Sequence, residues 1–457
     1  MALTVRISGA VRGVHARYPW TRGFIERLRA AIFLADSLLS ALIFLSWLGT
    51  AGLACKLLAL ARARKGTRGR GILFLSQEGF TVAPTRIRSY FFAERVSALG
   101  YPTRVLAFWD DIYRFDHLPD RPIFGVEQTL VSIRAVHRML AERPAVIIEQ
   151  RPTYDLLATW AMHWLHGTPV IFDIDDWIGD YTWFYPLRVR TVLPWFRSLA
   201  SACIVSSARL EFELAPVFAD TVKIPTYVDT DLFRPRVSAV SESVVVFGWN
   251  GTLFQEFMYE SLLVMVHAFV RAYDRVGPSA KMVMEVAGTG DFYPKLEEFV
   301  AREYPGYPIR LKGWLDPRAM AEYLDGIDVG LYSLVLTERR RGTAEETFIV
   351  SKSPTKVFEY MAKGLPTLST RLGEVANVIE QGVTGICSDD LAELCDGFVL
   401  LAQDAWLRLR MGQLARSRCV ERFSMTSAAR KLIDTVVTRT GAEFAEPASV
   451  LVRQASG

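Results

Sequence analysis

From Gly71 onward, short apolar runs alternate with stretches in which apolar side chains recur every three or four positions. The short runs predict strands at Gly71–Ser76, Thr103–Ala107, Ala145–Glu149, Pro169–Ile174 and Ala202–Ser206. A second series predicts strands at Val244–Trp249, Lys281–Ala287, Ile309–Leu311, Val329–Tyr332 and Pro366–Ser369. Helical spacing falls between them, at Tyr259–Tyr273, Tyr293–Ala301, Pro317–Leu324 and Lys356–Ala362. In the first series Ile87, Tyr90, Phe91 and Val96 mark one helical face, which Gly100 closes. Such alternation predicts α/β architecture with parallel sheets. Periodicity fails in KIPTYVDTDLFRPRVSAV, where prolines and polar residues take over, so the two series form two lobes. No repeat of solenoid length occurs. The expected organisation is a basic, hydrophobic segment at 1–70, lobes at 71–235 and 236–420, and a C-terminal crossing helix and tail at 421–457. Within the last of these, SMTSAARKLIDTVV reads as helix and the residues after Gly441 as disordered tail. Two such lobes leave a cleft facing the carboxyl ends of both sheets, where ligands normally bind.

The N-terminal segment follows a different pattern. Ser37 to Cys55 carries no charge and is apolar on every face, just long enough to cross a bilayer. Gly49-Thr50-Ala51-Gly52 interrupts it, and basic residues flank both sides: Arg17, Arg22, Arg27 and Arg29 before, Lys56, Arg62, Arg64, Lys65, Arg68 and Arg70 after. Charge therefore chooses no orientation, and both flanks favour the cytoplasmic leaflet. An in-plane or re-entrant anchor on the cytoplasmic face satisfies both flanks. A true span and a helix packed on the soluble body are the alternatives. The apolar run starts late and lacks a cleavage site, which argues against a signal peptide.

Composition changes this picture little. The net charge of +4 is too small to suggest nucleic acid, and the arginines and lysines crowd the first seventy residues. Cys55, Cys203, Cys387, Cys395 and Cys419 lie far apart without a CxxC, as buried reduced thiols do.

Four stretches carry a resemblance, in order along the chain. They are LSQEGFTVAPTRIRSYFFAERVSALGY; TPVIFDIDDW with ACIVSSARLEFEL and IPTYVDTDLFRP; VVVFGWNGT; and RLKGWLDPRAMAEYLDGIDVGLYSL leading into SKSPTKVFEYMAKGLPTLST and GEVANVIEQGVTG. Together, over roughly residues 71–440, this set resembles glycosyltransferase family 4, whose members have the GT-B fold. The resemblance implies a retaining hexosyltransferase that needs no metal or other cofactor. Its donor would be a nucleoside-diphosphate sugar and its acceptor a glycan or lipid-linked hydroxyl, in cell-surface polysaccharide or glycolipid synthesis. Two rival readings stand beside it: a nucleotide-sugar epimerase on the same fold, and a non-catalytic, membrane-anchored scaffold.

The chemistry expected at these places can be argued residue by residue. Ser353, Pro354 and Thr355 would open a helix whose N–H groups can seat a diphosphate. Lys356 adds positive charge there. Glu359, one turn on, is placed to accept two hydrogen bonds from a ribose diol, the role the resemblance also implies. Gly248, Asn250, Gly251 and Thr252 form a glycine-containing strand exit suited to close backbone approach to phosphate. Gly288 offers a weaker version of the same signal. Lys312, Gly313 and Trp314 match the family's base-pocket stretch. In the first lobe, Gly79 matches the loop brought near the reacting sugar, while Arg86 and Arg88 are placed to meet phosphate or an anionic acceptor. Many family members carry a histidine where this chain has Asp175. With Asp173 and Asp176 it forms an acidic cluster able to hold a sugar hydroxyl or steady positive charge at the anomeric carbon, or serving structure alone.

The chain also departs from the pattern. Counting back along E-x7-E from Glu359 gives Ser351, so the earlier glutamate is missing, and Glu345 or Glu346 is the candidate replacement. No basic residue lies between Phe254 and Leu263. Neutralising the donor phosphates would then fall to Lys356, to backbone N–H groups, or to the Arg339–Arg341 cluster.

Overall fold

The computed structural model describes residues 21–57, 70–114, 122–235, 244–277 and 281–444. Most of the basic residues after Lys56 and the tail from residue 445 lie outside these.

Among the described residues the strands are β1 (Ile72–Ser76), β2 (Thr103–Ala107), β3 (Val146–Gln150), β4 (Val170–Ile174), β5 (Thr182–Phe184), β6 (Leu187–Arg188), β7 (Ala200–Val205), β8 (Thr221–Lys223), β9 (Val245–Thr252), β10 (Met282–Thr289), β11 (Ile309–Gly313), β12 (Val329–Tyr332), β13 (Thr367–Ser369) and β14 (Gly385–Cys387). The helices that matter below are α1 (Thr21–Trp47), α2 (Phe92–Ala98), α3 (Val126–Glu142), α4 (Leu156–His166), α5 (Ala208–Leu214), α6 (Glu256–Val276), α7 (Tyr293–Glu303), α8 (Pro317–Tyr323), α9 (Ala344–Val350), α10 (Thr355–Ala362), α11 (Leu391–Gln403), α12 (Ala405–Arg418) and α13 (Met425–Thr440).

Two six-stranded sheets result, ordered β2-β1-β3-β4-β7-β8 and β11-β10-β9-β12-β13-β14. The registered pairs in both are parallel, as the buried, β-branched runs require. In chain order the second sheet reads 3-2-1-4-5-6, the doubly wound arrangement whose topological switch lies between β9 and β12. The first reads 2-1-3-4-5-6, with its switch between β1 and β3. By contacts the chain divides into two compact units. Among the described residues, one holds those within 1–89, 102–173 and 178–202, and the other those within 90–101, 174–177 and 203–457.

In the second unit, Phe247, Phe269 and Phe398 bring β9, α6 and α11 into one core, with Phe247 and Phe398 rings 4.8 Å apart. A second core gathers Val357, Phe358 and Met361 of α10 against Ile349 and Phe423. α13 begins at a Ser424 cap, whose Oγ accepts the Ser427 N–H at 3.2 Å, and ends with Arg439 on Asp220 at 2.5 Å. None of the five cysteines forms a disulfide.

In the first unit, α1 runs unbroken through the predicted interruption. Leu48–Gly52 forms a π turn and the helix continues to Leu57, because Thr50 Oγ1 donates to the Ser46 carbonyl at 2.8 Å and the backbone never leaves helical geometry. The expected interruption at Gly49–Gly52 is thereby corrected. One face of α1 packs on the folded unit. Ser37 Oγ donates to the Phe124 carbonyl at 3.1 Å, Ser40 bonds Thr129 of α3, and Phe44 meets Trp160 of α4 with ring centroids 5.9 Å apart. Trp183, an aromatic suited by type to a membrane interface, stacks on Phe124 at 5.1 Å in the core instead, whereas Trp195 is exposed.

Candidate functional site

The switch point of the second sheet is where the polar chemistry collects. β9 continues three residues beyond the apolar run because Asn250, Gly251 and Thr252 stay paired with Ala287, Gly288 and Thr289 of β10. Its carboxyl end thus carries Asn250 and Gly251 beside the exit of β12. From the other side comes α10. Its Tyr360 hydroxyl donates to the Leu331 carbonyl of β12 at 3.1 Å and accepts the Asn250 N–H at 3.3 Å, bridging the two strands that diverge there. Gly330 makes room, since a Cβ at that position would fall inside the Tyr360 ring. Sequence reasoning missed both residues. Their signal, a glycine in a strand and an aromatic inside a helix, is too common to read locally.

Glu359 is oriented toward this exit by Asn250, whose Nδ2 donates to Glu359 Oε2 at 3.0 Å. Burial raises the Glu359 pKa, while the Asn250 bond and the Lys356 charge oppose the rise. The Lys356 ammonium lies 3.9 Å from the Trp249 ring centroid, a cation–π contact, and within 6.0 Å of the Tyr332 ring. Desolvation pushes its pKa down to about 7, with Glu359 pulling the other way. Gly251 permits this, because a Cβ there would meet Lys356 Nζ. Ser353 Oγ, just before α10, is buried without a hydrogen-bond partner, as is Ser333 Oγ just past β12. Buried hydroxyls left without partners suit a polar ligand. Two of the first α10 N–H groups are already used, Thr355 N on the Ser353 carbonyl at 2.9 Å and Val357 N on the Pro354 carbonyl at 2.9 Å. Positive charge at this helix start therefore rests on Lys356 more than on a row of open N–H groups. Trp314 is 65 % exposed, and Tyr293 Oη accepts the Gly313 N–H at 2.9 Å. Lys312 Nζ lies 3.3 Å from Glu285.

Other expected site residues sit elsewhere or serve packing. Gly248 lies inside β9, where an added Cβ would come within 2.5 Å of the Ile327 side chain, so the glycine serves packing. Gly288 leaves space for the Gly251 carbonyl, so it fits two strand exits together. The arginine cluster is committed to carboxylates. Arg339 pairs with Glu256 at 2.7 Å, Arg340 with Glu260 and with Glu345 at 2.8 Å, and Arg341 with Glu338 at 2.9 Å. Glu346 accepts the Gly342 N–H at 2.6 Å. These bonds correct two expectations: the cluster is engaged with acids, and Glu345 and Glu346 are spent on holding their own loop. Ser351, in the place of the missing glutamate, is fully buried and its carbonyl accepts Ser207 Oγ at 2.8 Å.

The acidic cluster also divides. Asp173 is buried against Arg88, whose guanidinium donates to both carboxylate oxygens at 2.8 and 2.9 Å from Nε and again from Nη2 at 2.6 Å. Both side chains are 1 % exposed, so Arg88 is a core ion pair and not an acceptor contact. Asp176 pairs with Lys352 at 3.3 Å, and Lys352 also lies 3.9 Å from the Phe348 ring centroid. Asp175 is nearly buried, and its carbonyl accepts Ser206 Oγ at 2.7 Å. In the first unit Gly79 leaves room for the Asp110 carboxylate, which takes the Phe80 N–H at 2.7 Å, and half-buried Arg86 bonds the Phe80 carbonyl at 3.3 Å.

An acid, a lysine and two unpartnered hydroxyls thus collect at the switch of a doubly wound sheet, the place where ligands of such sheets normally bind. Residues 245–404 match the family described as glycosyl transferases group 1, and this domain is a group 1 glycosyltransferase domain; the protein is a glycosyltransferase. No curated protein sequence matches the chain. Among solved structures, a glycosyltransferase from Rickettsia africae ESF-5 aligns over 82 % of this chain and 100 % of its own, with TM-score 0.62 and 12 % identity. The sucrose-phosphate synthase of Thermosynechococcus elongatus aligns over 82 % of this chain and 100 % of its own, with TM-score 0.58 and 16 % identity. Anabaena HepE in complex with UDP aligns over 80 % of this chain and 100 % of its own, with TM-score 0.57 and 14 % identity. At such identities these likenesses concern the fold, which is GT-B.

Proposed function

We propose that the chain transfers a hexose from a nucleoside-diphosphate sugar to a hydroxyl of a glycan or lipid-linked acceptor. In this reading it works at the cytoplasmic face of a membrane, with retention and without a metal, in polysaccharide or glycolipid synthesis. The observation that carries the donor side is the convergence of Asn250, Lys356 and Glu359 at the β9–β12 switch. The Anabaena structure holding UDP and glucose is a further support for a uridine donor, by fold likeness. The four-part resemblance to family 4 supports retention.

Departure of the diphosphate builds negative charge where Lys356 and the start of α10 stand ready, and preorganised charge of this kind is usually the largest catalytic contribution. Glu359 grips the ribose diol, and Asn250 keeps the carboxylate aimed. Asp175 steadies positive charge at the anomeric carbon, while the first unit receives the acceptor. Exclusion of water from the donor keeps hydrolysis from competing.

Two substitutions test this division of labour. Glu359→Ala should weaken donor binding about 10- to 100-fold, the worth of hydrogen bonds to a charged group, with a smaller effect on kcat. Asp175→Asn should lower kcat by about 10- to 100-fold and leave donor binding nearly intact. Steady-state kinetics across a panel of nucleotide sugars separates the two. Wild-type kinetics in both variants would remove the assignment.

A further inference from the structure

The side of α1 turned away from the folded unit is almost entirely apolar. Phe24, Leu28, Ile32, Leu38, Leu39, Leu42, Leu45, Leu53 and Leu57 are exposed, Leu42 by 63 % and Leu45 by 62 %. Asp36, Ser37 and Ser40 turn inward, Asp36 taking the Val126 N–H at 3.3 Å and Ser37 and Ser40 bonding the unit as described. Ser46 and Thr50 are the exposed polar positions of its later half, Thr50 Oγ1 being bonded back to the helix. Attachment extends from Phe33, 6.3 Å from Tyr185, to Lys56, 3.9 Å from the Trp164 ring. That is about 35 Å of helix at 1.5 Å per residue. Exposed cations, Arg27 and Arg29 just after Glu26, mark the beginning of the stripe, and Lys56 marks its end.

Deepening the membrane-surface reading above, we infer that α1 and its continuation lie flat in an anionic bilayer surface, with this apolar face in the lipid and the folded unit on the opposite side. Crossing is opposed by the attachment itself. Helix α3 runs along α1 and exposes Arg134 and Arg138, which a spanning α1 would carry into hydrocarbon at high cost. A second copy of the chain is opposed by charge. Pairing two stripes antiparallel sets Arg27 and Arg29 against Lys56, and pairing them parallel sets each cation against its twin. Anionic headgroups neutralise both ends at once. A stripe of this kind sinks only about 5–10 Å, to the boundary of headgroups and acyl chains.

The test uses the full chain and vesicles of phosphatidylcholine containing about one-third phosphatidylglycerol, a composition that supplies the surface charge the cations need. Wild type should float with them, and less with pure phosphatidylcholine. The double variant Leu42→Glu and Leu45→Glu should bind on the order of ten-fold or more weakly. Both sites are exposed, so its thermal unfolding should match the wild type's. Cys55 in the wild type and Glu26→Cys in a Cys55→Ser background, at opposite ends of the helix and off the apolar stripe, should both react with an impermeant maleimide added outside the vesicles, the other four cysteines being buried. Protection of one end would overturn the in-plane geometry. Unchanged flotation of the double variant would overturn the lipid contact, as would a soluble dimer that the variant splits. Donor hydrolysis is measured on the same samples. Its absence in the wild type would count against the donor-site reading and leave the flotation result standing.

Discussion

Lys356→Met is expected to weaken nucleoside-diphosphate binding about 30-fold, the value of a charge-assisted bond lost from a partly desolvated site. It should also erase a pH dependence. Burial holds the Lys356 amine down to about 7, against the partial support of Glu359. Only the ammonium attracts the diphosphate, and the bound anion raises the amine's pKa again. Donor affinity of the wild type should therefore fall as pH rises above 7, approaching ten-fold per unit until the pKa of the complex is reached. Above about pH 7.5 the diphosphate's own charge is nearly constant, which isolates the lysine. The stability of the unliganded protein must move the opposite way. Between about 7 and lysine's ordinary range the unfolded chain binds more protons than the folded one, so stability rises with pH across that window. Calorimetric titration with UDP from pH 6 to 9 reads the first trend and thermal unfolding the second. The Met variant should be flat in both.

Arg88→Met should destabilise the first unit by about 3–5 kcal/mol, because it strands the Asp173 carboxylate in a dry interior. For a unit of this size the corresponding fall in Tm is about 10 °C. The double variant Arg88→Met with Asp173→Leu should recover much of that loss, since replacing both partners removes the uncompensated charge. If Arg88 instead served an anionic acceptor, the single variant would unfold normally and lose only activity. Scanning calorimetry of the three proteins decides between these outcomes.

Both predictions depend on contacts between residues far apart in sequence, and this separates what the chain disclosed from what it hid. The central strands were legible because burial on both faces writes a continuous apolar run: Ile72–Ser76 and Val329–Tyr332 are buried at every position. β9 was read three residues short, since Asn250-Gly251-Thr252 looks like a turn until β10 pairs with it. α4, apolar nearly all round, has no helical stripe to recognise, and α3 opens at Gly125 without a side-chain cap. β8 and β14 are three-residue edge strands with no length to betray them.

The site divides in the same way. Lys356 and Glu359 were legible through their helical spacing and the strand exit upstream. Their partners, Trp249 beneath the lysine and Tyr360 across the switch, follow only from the fold. The arginines at 339–341 misled because adjacent like charges resemble a phosphate seat. Glu256, Glu260 and Glu345, brought in by α6 and α9, neutralise two of them. Arg88 misled likewise, because Asp173 lies 85 residues away. Charge read along a sequence is gross charge, whereas a site uses what remains after pairing.

Everything proposed for the donor rests on α10 presenting Lys356 and Glu359 to a pyrophosphate and its ribose beside the end of β9. A thermal-shift titration of wild type and Lys356→Met with nucleoside diphosphates addresses that directly. The wild type should gain about 2.7 kcal/mol of stability at a hundred-fold excess over Kd, seen as a rise of several degrees in Tm, and the variant, binding about 30-fold more weakly, should gain only about 0.9 kcal/mol at the same concentration. An equal rise in both proteins, or none in the wild type with any base, would contradict the account.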